Sequence, residues 1–130
     1  MISSTLALSP AIAAAPLPTD RDSLKQAIVT ALIYRIGKDP VIATQHDVYR
    51  AAALVVRDRL VARWMETTRH QYAQDVKRIY YLSMEFLVGR SFSNALHATG
   101  LYEDLALALG DLGVKIEGLV TEEPDAALGN

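Results

Sequence analysis

The chain has 130 residues and a mass of 14.2 kDa, with 13 Lys and Arg against 15 Asp and Glu. A formal net charge of -2 argues against a dedicated nucleic-acid binder, which would carry a basic excess. With no Cys at all, disulfides, thiolate zinc sites, iron–sulfur clusters and a Cys nucleophile are excluded, and no run approaches the about 18 apolar residues of a membrane-spanning helix.

The first stretch, Met1 to Pro18, contains no Lys, Arg, Asp or Glu and ends in Pro16-Leu17-Pro18. A secretory signal opens on positive charge, which is missing here. Residues 1–18 therefore read as a disordered Ala- and Pro-containing leader, with a targeting segment as the alternative. The domain portion is expected over 19–130.

Asp20 and Ser23 offer N-cap oxygens to the free amides of a first helical turn. Leu24, Ala27, Ile28, Ala31, Leu32 and Ile36 then recur at helical spacing, and Gly37 with Pro40 ends the run. A helix over about 23–36 follows. A longer one is expected over about 45–72, capped by Thr44 with Asp47 in its first turn. Its inner stripe is expected at Ala51, Leu54, Val55, Val61, Ala62 and Met65, beside Trp64. Arg50, Arg57, Arg59, Arg63 and Arg69 fall on the opposite side, read either as a solvated or partner-facing surface or as an anion site.

The pattern then changes. Val76 to Ser83 is rich in β-branched and aromatic residues, and the run Ile79 to Leu82 predicts a strand covered on both faces. Ser91–Ala98, Leu101–Leu109 and Val114–Val120 predict three short helices punctuated by Gly100, Gly110 and Gly113. One buried strand with no second strand leaves its ladder groups unpaired. The inventory is that of a piece of something longer, mostly α.

Chemistry is sparse. His46, His70 and His97 are too dispersed for a shared metal, so no metal site is expected. Glu122, Glu123 and Asp125 read as a solvated acidic cluster, since neighbouring loop carboxylates rarely form an acid/base pair. Gly89 stands where a turn after the strand needs glycine, and Arg90 beside Glu85 reads as a structural ion pair or as a contact to an anion.

Lys77-Arg78-Ile79-Tyr80-Tyr81-Leu82-Ser83-Met84-Glu85-Phe86-Leu87-Val88-Gly89-Arg90 resembles the signature near the N-terminus of glycogen (α-glucan, starch, maltodextrin) phosphorylases. Asp58 to Trp64 resembles that family's second helix, and Glu122 to Asn130 resembles the approach to its glycine loop. The likeness spans about residues 20 to 130.

The resemblance implies an α/β fold of GT-B type, a glycosyltransferase of two Rossmann-like domains, here represented by a helical lead-in and first strand of the N-terminal domain. It implies transfer of glucosyl units from the non-reducing end of α-1,4-glucans to inorganic phosphate, with pyridoxal phosphate as cofactor. The cofactor lysine is expected outside this chain, so the piece alone should be inactive. Glu85, Leu87 and Asn130 match positions lining the cofactor and phosphate cleft, and Leu87 in place of a Tyr points to a bacterial-type member. Tyr72 matches an aromatic at a nucleotide effector site, read here as vestigial because Thr68 and Arg69 replace the family's two Gln. The resemblance also implies a cytoplasmic homodimer. The alternative is a stand-alone helical dimerisation or regulatory module without catalysis. Uncovered apolar surface would leave the isolated piece molten, aggregated or degraded.

Overall fold

A computed structural model describes residues 15–126. The first helix, α1, spans Arg21–Ala31 and continues into a π-helical turn, Leu32–Ile36. The Asp20 carboxylate accepts from the Ser23 amide at 3.0 Å, and that bond holds its pKa below the usual carboxylate value. At the far end Gly37 takes φ 73°, a left-handed conformation that costs a residue with Cβ about 1–2 kcal/mol.

Helix α2, Gln45–Ala73, has 29 residues and is about 43 Å long at 1.5 Å per residue. It begins in the expected capping box: the Asp47 amide donates to Thr44 Oγ1, and the Asp47 carboxylate accepts from the Thr44 amide at 3.0 Å. Helices α3 (Phe92–Thr99), α4 (Tyr102–Asp111) and α5 (Ile116–Val120) follow a long irregular segment.

These helices close one core. α1 packs on both α2 and α4, while α3 and α5 each bridge α2 and α4. Leu24 and Ile28 of α1, Ala52 and Val56 of α2, Leu96 of α3, Leu105 and Leu109 of α4, and Leu119 of α5 meet in the centre. Burial of each large side chain contributes about 1.5–3 kcal/mol. At the rim, Arg21 and Lys25 of α1 both hold Asp111 of α4.

Two expectations need correction. The buried stripe of α2 is Val48, Ala51, Ala52, Val55, Val56 and Arg59, one face at helical spacing. Leu54, Val61 and Ala62 are only half-buried, while Trp64 and Met65 are exposed, because α2 outruns the helices packed on it. Arg59, placed on the outer side from its charge, lies on the inner face.

The strand over 76–83 does not form. Residues 74–91 are irregular, and the described residues contain no strand. A strand is made by ladder hydrogen bonds to a neighbour, and no other extended segment among the described residues supplies one. The fold of residues 15–126 is helical. Among the described residues no sheet stands for the expected α/β class. Most of the 1–18 leader lies outside the described residues; its last residues, 15–18, are irregular.

Candidate functional site

The residues singled out by sequence sit on the irregular segment between α2 and α3. After α2 the chain turns at Asp75, φ 47°, and runs exposed to Val88. Ile79, Leu82 and Leu87 are 90%, 89% and 100% exposed, so an apolar run faces water. Ser83 Oγ donates to the Glu85 carbonyl at 2.7 Å and accepts from the Glu85 amide at 3.1 Å, which bends the segment locally. Tyr81 and Phe86 then meet edge to face at 5.9 Å.

Glu85 and Leu87 project from this bend into solvent. Gly89 takes φ 63°, a turn that favours glycine, and Arg90 is exposed. Among the described residues, Glu85 and Arg90 make no ion pair with each other. Asn130 lies outside the described residues.

Tyr72, near the end of α2, is exposed, with the Arg78 guanidinium 3.9 Å from its ring centre. The hydrogen bond from Arg78 lowers the Tyr72 pKa, because it favours the phenolate. A groove of about 390 Å³ opens between Trp64, Thr68 and Gln71 of α2 and the returning residues Val76 to Tyr80.

The arginine set on α2 separates into different jobs. Arg59 is 5% exposed; its Nε donates to the Pro18 carbonyl at 3.0 Å and its Nη1 to the Val55 carbonyl at 3.0 Å. Loss of hydration lowers its pKa, and Asp58 partly offsets that. Arg63 donates to the Thr99 carbonyl at 3.1 Å, tying α2 to the end of α3. Arg50 and Arg69 are exposed. Pro16, Leu17 and Thr19 with Arg59, Arg63, Glu66 and Arg69 line a second groove of about 460 Å³.

Sequence reasoning missed the role of Glu123. Its carboxylate accepts from the Ser91 amide at 2.8 Å and the Phe92 amide at 2.9 Å, capping α3 from 32 residues away. Ser91, the residue before α3, makes no side-chain cap bond because its own backbone is already α-like, φ -119° and ψ -9°. No local signal marks such a contact. Arg59 had one, since it stands four residues after Val55 and seven after Ala52.

Among the described residues, no three His, Asp or Glu are placed to hold a metal ion, and no helix is long and apolar enough to cross a membrane. Glu85 and Leu87 face solvent, and neither lines a groove described above.

No protein-family model matches the chain. Curated proteins do. Glycogen phosphorylase of Pasteurella multocida is 44% identical over 109 residues, 84% of this chain and 13% of that protein. Glycogen phosphorylase 2 of Dictyostelium discoideum is 40% identical over 120 residues, 92% of this chain and 12% of that protein. The liver form of Homo sapiens is 43% identical over 107 residues, 82% and 13% respectively. The similarity is thus about as strong to an animal as to a bacterial member. The chain belongs to the glycogen phosphorylase family and spans about one eighth of the length of the curated relatives it matches.

Proposed function

We propose that these residues are the N-terminal part of a bacterial-type glucan phosphorylase. In the whole protein, phosphate attacks the anomeric carbon at the non-reducing end of an α-1,4-glucan. The glycosidic C–O bond breaks, the leaving oxygen takes a proton, and glucose 1-phosphate is released. The observation that carries this reading is identity of 40 to 44% with glycogen phosphorylases over most of the chain.

Pyridoxal phosphate is the cofactor of this reading and, when bound, supplies a phosphate that gives and takes protons. Its lysine is assigned to a part of the protein beyond these residues. Glu85, Leu87 and Asn130 contribute to the cleft wall only once further chain faces them. The exposed apolar run Ile79 to Leu82 supports that reading, because such a surface calls for a covering layer. Tyr72 keeps the place of an effector-site aromatic without its polar companions.

The same reading makes the protein a cytoplasmic homodimer. Tyr34, Val41 and Ile42, exposed on the turn between α1 and α2, supply an apolar patch for the partner. Alone, the chain has no phosphorolytic activity.

The test measures phosphate-dependent release of glucose 1-phosphate from maltoheptaose. The product of the complete reading frame containing these codons, supplied with pyridoxal phosphate, is expected to be active. The 130-residue chain is expected to give none above a protein-free blank. A folded, cofactor-loaded full-length product without activity would sink the proposal.

A further inference from the structure

The segment after α2 holds unpaired backbone in water. The turn at its start is closed by the Val76 amide, which donates to the Gln71 carbonyl at 3.3 Å; beyond it, among the described residues, no backbone hydrogen bond holds residues 77–82. Ile79, Tyr80, Tyr81, Leu82 and Met84 are exposed, and residues 76–88 contain neither Pro nor Gly. A β-branched and aromatic run with free N–H and C=O groups is what an open sheet edge offers to a second strand. Strand propensity is present, and only the pairing surface is missing.

Charge selects the strand that fits. Lys77 and Arg78 precede the uncharged stretch Ile79 to Met84, and Glu85 follows it. Arg78 is engaged within the chain, its guanidinium 3.9 Å from the Tyr72 ring centre. Lys77 and Glu85 are exposed and have no ion-pair partner among the described residues. A second copy of the segment, running antiparallel, brings Lys77 of each copy to Glu85 of the other. The two-fold axis then passes through Tyr81, so that Tyr81 faces Tyr81, Tyr80 faces Leu82 and Ile79 faces Ser83. Aromatic and opposite-charge neighbours are favourable across a strand pair. A parallel in-register pair would set Lys77 on Lys77 and Glu85 on Glu85, which is unfavourable. The mutual bonds of Ser83 and Glu85 bend the chain, so the ladder covers 79–83 and the charged pairs close its two ends.

We infer that the 130-residue chain dimerises through this segment, with residues 79–83 of two copies paired antiparallel about Tyr81 in a strand that exists only in the dimer. The contact is separate from the Tyr34, Val41 and Ile42 patch, and it does not rest on the phosphorolytic reading. A lone two-stranded ribbon is marginally stable in water, so the association is weak and steeply dependent on concentration.

Sedimentation velocity and infrared absorption of the 130-residue chain over a concentration series test this. A monomer–dimer equilibrium is expected, with the β-sheet amide band rising in step with the dimer. Glu85→Lys sets like charges at both ends of the ladder and is expected to weaken the dimer at least about fivefold; Lys77→Glu does the same, and the double exchange restores it. Both side chains are exposed, so the helical circular dichroism stays unchanged in every variant.

Because the chain has no Cys, strand direction can be read by oxidation with diamide. Tyr81→Cys is expected to cross-link, since directly opposed residues lie about 5 Å apart. Ser83→Cys is expected not to, because its two copies stand about 13 Å apart along an antiparallel pair. A chain still monomeric at millimolar concentration overturns the inference and leaves the run for further chain to cover. A dimer without the β-sheet band, or one indifferent to both single charge changes, places the contact elsewhere and overturns it too. Cross-linking of Ser83→Cys as fast as Tyr81→Cys overturns the antiparallel pairing.

Discussion

The helical body and the arm that projects from it are both rich in apolar residues, yet they meet water in opposite ways. In the body, Leu24, Ile28, Leu96, Leu105 and Leu109 are fully buried, and no buried side-chain polar atom among the described residues lacks a partner. In the arm, which is the second half of α2 and residues 74–88, Trp64, Ile79, Leu82 and Leu87 stand in solvent. Local preference does not explain the contrast. Helix α2 is continuous across both, but its buried residues run only from Asp47 to Arg59, and α1, α3 and α5 are the helices packed on it. An apolar side chain is buried only where a second part of the chain reaches it.

If the body alone holds the fold, a core truncation there has the largest effect. Leu105→Ala is expected to cost about 2–5 kcal/mol, read from urea denaturation followed by circular dichroism. A loss below about 1 kcal/mol would mean that the core is loosely packed, and would dissolve the distinction between the regions. A sharp cooperative transition in that experiment would overturn the expectation that the isolated piece is molten, aggregated or degraded.

Arg59 sits at the boundary. Arg59→Ala removes the side-chain donor from the Pro18 and Val55 carbonyls and is expected to cost about 1.5–3 kcal/mol. Arg59→Lys should recover only part, since a single ammonium cannot span both carbonyls as the guanidinium fork does. Hydrogen exchange at Thr19 should rise in both variants. Equal stability of Lys and Arg at this position would show that only the charge matters.

Acid sharpens the comparison further. The bond from Arg21, and then Lys25, holds the Asp111 carboxyl below its ordinary 3.8. Its folded pKa is thus lower than its unfolded one, so its contribution is complete above about pH 4 and is lost as pH falls through the folded value. Asp111→Asn should flatten the loss of stability with falling pH below about pH 4, measured by denaturant titrations along a pH series. A variant with the wild-type slope would place the acid sensitivity on other carboxylates, Asp20 and Asp47 first, which are also lowered.

The smallest effect is expected in the arm. Leu82→Ser should change unfolding free energy by less than about 0.5 kcal/mol while reducing self-association in sedimentation experiments. A loss comparable to that of Leu105→Ala would show the arm to be packed.

Much of the body was legible from residue order. Thr44 and Asp47 mark the start of α2, Gly37 the end of the first helical run, and the helices around Leu96, Leu105 and Leu119 fall where glycines and apolar spacing put them. These signals are local, carried by caps, dipoles and periodicity within a few residues. The strand over 76–83 failed because its propensity is real but its partner must come from elsewhere in a chain. Of the candidate site residues, Gly89 takes the left-handed turn its type allows, whereas Glu85, Leu87 and Arg90 point into water without converging.

The sequence by itself determined the helix boundaries, the caps, the absence of thiol chemistry and the phosphorylase resemblance that the relatives uphold. Tertiary structure decided which face of α2 turns inward, that the Arg59 cation is buried against two carbonyls, and that Glu123 caps a helix begun 31 residues earlier at Phe92. Those outcomes depend on which distant segments meet. Residue type and local spacing set what each side chain can do, and the packing of the helices sets what it touches.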